Sequence, residues 1–67
     1  MHIEELIKIL KNRRTELGVT LENLADLSGV GLRTIKGIES GKGNPTFGTL
    51  SRIADVLGME IKLSIKQ

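Results

Sequence analysis

No cysteine, tyrosine or tryptophan occurs in this sequence, and histidine, proline and phenylalanine occur once each, as His2, Pro45 and Phe47. Each scarcity closes a route. Without cysteine there is no disulfide and no thiolate to act as nucleophile or metal ligand. A lone His2, with no metal-ligand or phosphate-loop spacing around it, reads as a solvated terminal residue, so no enzyme activity, metal or cofactor is expected. One aromatic offers no stacking platform for unpaired bases, which argues against single-stranded nucleic acid as a partner and leaves duplexes open. No apolar run approaches the ~18 residues that cross a bilayer, and Met1-His2-Ile3-Glu4-Glu5 lacks the basic start of a signal peptide. A soluble, cytoplasmic chain with no membrane partner is the expectation.

What remains is a chain of 67 residues, enough for one domain spanning 1–67, with a formal charge of +2. At that size folding removes only about 60% of the unfolded surface from water. With disulfide and metal excluded, a partner chain is the remaining means of reinforcement, and a homodimer is expected. The positive balance is compatible with a polyanion without selecting one.

Residues 3–17 place Ile3, Leu6, Ile7, Leu10 and Leu17 on one helical face, with Gly18 as the stop. Thr20 offers its hydroxyl to cap a short helix over 21–28, ended by Gly29, with Leu24 and Ala25 facing inward. After a glycine turn, a third helix over 32–40 carries Ile35 and Ile38 on one face and stops at Gly41. Thr46 caps a fourth over 46–57, striped by Phe47, Leu50, Ile53, Ala54 and Leu57. Gly41-Lys42-Gly43 lacks the strand and the Lys-Ser/Thr ending of a phosphate loop and reads as a helix stop.

The period then changes. From Glu60 to Lys66 apolar and polar residues alternate strictly, which predicts a strand over 60–66 with Ile61, Leu63 and Ile65 on its buried face. A closing helix is the alternative. No second strand candidate exists, so the edge of this one is expected to pair with the same strand of a second copy.

Leu24-Ala25, Gly29-Val30, Ile35, Ile38-Glu39, Gly41, Asn44-Pro45-Thr46, Leu50 and Ile53-Ala54 together resemble the Cro/CI-type helix-turn-helix family, over roughly residues 6–57. The resemblance implies an all-α, lambda repressor-like bundle of four helices, here with a C-terminal strand pairing across a dimer. It implies a regulator bound to double-stranded DNA through the helix over 32–40. Leu32, Arg33, Lys36 and Gly37 match the groove-facing positions, and inward Ile35 and Ile38 independently turn those four outward. Arg33 has the planar fork that bonds both acceptors of guanine, with a phosphate contact or plain solvation as alternatives. Thr34, Lys36 and Lys42 suit phosphates, as do the helix starts at Thr20 and Leu21 and at Asn44 to Thr46. Glu39, disfavoured in the last turn of its helix, calls for a cation. The resemblance nominates Arg14 as that partner in a structural brace.

Two positions depart from the family pattern. Leu21 stands where glutamine commonly braces the first groove-facing residue, itself Leu32 here, so two leucines would form a small apolar patch suited to a thymine methyl. Gly31 stands where serine or threonine is usual, which removes a cap. Two other readings accompany the DNA-binding regulator. A helix-turn-helix body ending in a strand also resembles HipB-like antitoxins, which bind DNA and a toxin protein. The leucine pair alternatively suits a protein interaction module whose DNA binding has decayed.

Overall fold

The computed structural model describes residues 2–66, which form four helices and, among those residues, no strand. They are α1 (Ile3–Leu17), α2 (Leu21–Ser28), α3 (Leu32–Glu39) and α4 (Phe47–Val56). The third and fourth are slightly shorter than the periodicity predicts, because Ser40, Thr46 and Leu57 serve as caps outside the helices proper.

Local chemistry sets the boundaries. Thr20 and Thr46 both sit in extended backbone, and each hydroxyl accepts the N–H three residues on, from Asn23 at 3.0 Å and from Thr49 at 3.1 Å. Such caps satisfy donors that the first turn leaves without an intrahelical acceptor. α1 and α2 end at Gly18 and Gly29, with φ of 70° and 73°, a conformation that a Cβ penalises. α3 has only Gly31 before it and no side-chain cap.

α2 packs on α3 and α4, and α1 packs on α3. Their shared core holds Leu10, Leu24, Val30, Ile35, Ile38, Leu50, Ile53, Ala54 and Leu57. Each fully buried leucine or isoleucine stabilises the bundle by about 1.5–3 kcal/mol. Val30, in the turn between α2 and α3, belongs to this core although its setting among glycines reads as a plain loop.

The expected stripes are longer than the core that covers them. On α1 only Leu10 is buried, Leu6 and Ile7 pack partly, and Ile3 and Leu17 stand exposed at the two ends. A 15-residue helix spans ~22 Å and an 8-residue one ~12 Å, so α1 overhangs the shorter α3 it packs against. Phe47, the first residue of α4, is 64% exposed, and the buried stripe begins at Leu50.

Gly58 turns the chain out of α4 at φ 71°, and the Met59 N–H closes onto the Ala54 carbonyl at 2.8 Å. Met59 and Ile61 pack against the core. Beyond them the tail leaves the body, with Leu63 98% and Ile65 90% exposed. Neither a closing helix nor a paired strand occupies residues 59–66. Among the described residues there is no strand for the tail to join, so its alternation has no edge to pair with.

Candidate nucleic-acid interface

α3 is a rod of eight residues, ~12 Å long. Burial of Ile35 and Ile38 fixes its rotation. Arg33, Thr34 and Lys36 are thereby exposed, and Leu32 and Gly37 are half-covered. The outward row therefore offers a cationic fork, a hydroxyl and an ammonium, with one apolar side chain at its start.

α3 is held in place by a brace from α1. Arg14 donates Nε to Glu39 Oε2 at 2.7 Å and Nη2 to Glu39 Oε1 at 3.0 Å. Its Nη1 donates to the Val19 carbonyl at 2.8 Å. The two side chains are only 13% and 14% exposed, so solvent screens this fork less than it would a surface pair. The guanidinium also offsets the cost of a carboxylate at the negative end of α3. One side chain thus ties α1, the loop before α2 and the end of α3 together.

Beside α3 a shallow depression brings together Thr34, Gly37, Lys42 and Asn44, with Ile38, Gly43 and Pro45 also in its wall. Gly37 looks toward this loop: its carbonyl accepts the Lys42 N–H at 2.9 Å, and a Cβ built on it would meet the Lys42 carbonyl at 3.8 Å. Thr20 with Leu21, and Thr46, stand at the starts of α2 and α4. Leu21 is partly buried and packs against the core, and Leu32, likewise half-covered, is the apolar member of the outward row on α3. Ile61 lies against the core while Leu63 and Ile65 lie in solvent, away from any neighbour within the chain.

Arg13 went unread in the sequence. Its Nε donates to the Leu57 carbonyl at 3.1 Å, a cation at the C-terminal end of α4. Basic residues at helix ends are a known preference, but a partner 44 residues away is visible only once the helices have packed. Lys8 and Lys11 on α1 line an open depression shared with Lys42.

Among the described residues no cluster of His, Cys, Asp or Glu is placed to hold a metal ion, and no helix is long and apolar enough to cross a membrane. Comparison with known proteins is more informative. A family profile described as helix-turn-helix matches residues 10–63. A protein of Methanothermobacter thermautotrophicus, named as an uncharacterized HTH-type transcriptional regulator, is 40% identical over 52 residues. That alignment covers 78% of this chain and 75% of the relative. The profile match runs from the middle of α1 to the tail and includes the whole α2–turn–α3 unit with Glu39. The chain belongs to the Cro/CI-type helix-turn-helix family.

Proposed function

We propose that this protein is a non-enzymatic transcriptional regulator that binds double-stranded DNA as a homodimer, each copy laying α3 in a major groove of a near-palindromic operator. The observation that carries the reading is the rotation of α3: Ile35 and Ile38 are buried, and Arg33, Thr34 and Lys36 face solvent on a rod short enough for a groove ~12 Å wide. Family membership and the regulator name carried by a relative support the same function.

In this reading Arg33 bonds O6 and N7 of a guanine, Leu32 meets a thymine methyl, and Gly37 lets the backbone approach the bases. Thr34, Lys36 and Lys42 contact phosphates, Lys36 also reaching base edges. The starts of α2 and α4, at Thr20, Leu21, Asn44 and Thr46, place backbone N–H groups toward phosphate oxygens. Two copies joined through Ile61, Leu63 and Ile65 address successive grooves about 34 Å apart.

Selection of bound duplexes from a random pool, at low and moderate salt, tests this with Arg33→Ala run beside the native protein. A near palindrome is expected, with one base position relaxed in the variant and a loss of about 1–3 kcal/mol in affinity. Equal weakening on every sequence would make Arg33 a phosphate contact. Recovery of no specific duplex at low salt would sink the regulator reading and shift attention to a protein partner.

A further inference from the structure

The tail carries a second, more specific message, which rests on the homodimer reading above. Leu63 and Ile65 are almost wholly in solvent, while Ile61, on the same alternating face, already packs against the core. Ile61 also lines an apolar groove between α1 and the tail, together with Leu6, Ile9, Leu10, Ala54 and Met59. Ile9 is itself exposed beside that groove. A second copy of this strand brings the residues that fill such a groove, because directly opposed side chains in a sheet share a face with Cβ atoms about 4.5–5.5 Å apart.

Symmetry and charge decide how the two strands align. A parallel pair is excluded by symmetry, because a two-fold axis along the strands would turn each side chain and its copy to opposite faces of the sheet and leave Ile61, Leu63 and Ile65 without a common apolar face. Antiparallel pairs with the axis midway between two residues set apolar side chains opposite polar ones and are rejected by the pleat. An axis at Lys62 opposes the two copies of that lysine, and an axis at Ser64 opposes Lys62 to Lys66. An axis at Ile61 runs the pairing into Gly58, at φ 71°, and into buried Leu57. An axis at Ile65 leaves residues 60–62 outside the ladder.

An axis at Leu63 has none of these faults. It opposes Glu60 to Lys66 twice, Lys62 to Ser64 twice, Ile61 to Ile65 twice, and Leu63 to its own copy. Glu60 is free to make this exchange, since its existing contact with Lys62 is a 3.8 Å pair between side chains about three-quarters exposed. We infer that the tails of two copies pair antiparallel about an axis through Leu63, and that each copy's Ile65 closes the apolar groove of its partner beside Ile61.

The chain has no native cysteine, so single substitutions along the tail report register without background. Cysteine is placed at 61, 62, 63, 64 or 65 in the full chain, and each variant is mildly oxidised at a concentration where sedimentation gives a native dimer. Opposed residues on the axis lie within the Cα separations a disulfide spans, about 4.4–6.8 Å, so Leu63→Cys is expected to cross-link and its neighbours to lag. As a second arm, Glu60→Lys is expected to weaken the dimer about tenfold, and adding Lys66→Glu in the same chain to restore it. A native monomer overturns both the homodimer and the register. A dimer whose cross-linking peaks elsewhere, or nowhere along 61–65, overturns the register alone.

Discussion

At the scale of single residues, the fork between Arg14 and Glu39 is the contact on which the placement of α3 most depends. Its two nitrogens and two oxygens are matched, and both side chains are largely covered. Loss of one partner strands the other charge in a poorly hydrated place. Glu39→Ala or Arg14→Ala is therefore expected to cost about 2 kcal/mol in urea unfolding, below the loss for a fully buried pair because some solvent reaches both groups. Arg14→Met combined with Glu39→Leu is expected to cost less than the sum of the two alanine changes, since it leaves no orphaned charge. Losses under about 0.5 kcal/mol for each single change would reduce the pair to surface decoration. Arg14 itself was nominated by family resemblance; what composition and periodicity gave was only that a carboxylate in the last turn of α3 needs a cation. Arg13, its neighbour, shows the limit of that logic, for nothing local points it at the carbonyl of Leu57.

At the scale of elements, α3 begins with less support than α2 or α4, which have threonine caps. Gly31 has φ −59° and ψ 142°, a backbone that any residue adopts, and a Cβ there would find Thr34 Oγ1 at an unstrained 3.8 Å. Gly31→Ser is expected to stabilise the protein by about 0.5–1 kcal/mol, through a new cap and a less flexible unfolded chain. Denaturant midpoints measure it, and an unchanged midpoint would mean that α3 is held by its packing alone. The four helices were legible because apolar spacing, threonine caps and glycine stops all agree on them. The core was less so. Ile3, Leu17 and Phe47 lie on the correct faces yet remain exposed, and Val30 is buried from within a turn. Spacing assigns a face to a residue; whether anything covers that face depends on the lengths of the neighbouring helices. The outward row of α3 followed from Ile35 and Ile38, whereas the partial burial of Leu21 did not, because residue 21 sits at a helix start where periodicity has no preceding turn to count from.

At the scale of the whole molecule, the described residues give a core of nine and a tail with two solvent-exposed aliphatics, which the proposed dimer would cover. If unfolding is coupled to dissociation, the melting temperature is expected to rise by roughly 5–10 °C for a hundredfold increase in protein concentration. A melting temperature independent of concentration across that range would mean that each copy is stable alone. The same architecture bears on operator geometry. Arg14 grips the end of α3, and the adjacent Arg13 grips the carbonyl of Leu57, one residue before the chain turns into the tail. Two consecutive side chains on α1 therefore tie α3 and the root of the tail to one helix. In the proposed dimer, joined through those roots, the spacing of the two half-sites would follow from the way one α-helix holds its neighbours, as the opening of a caliper follows from its frame.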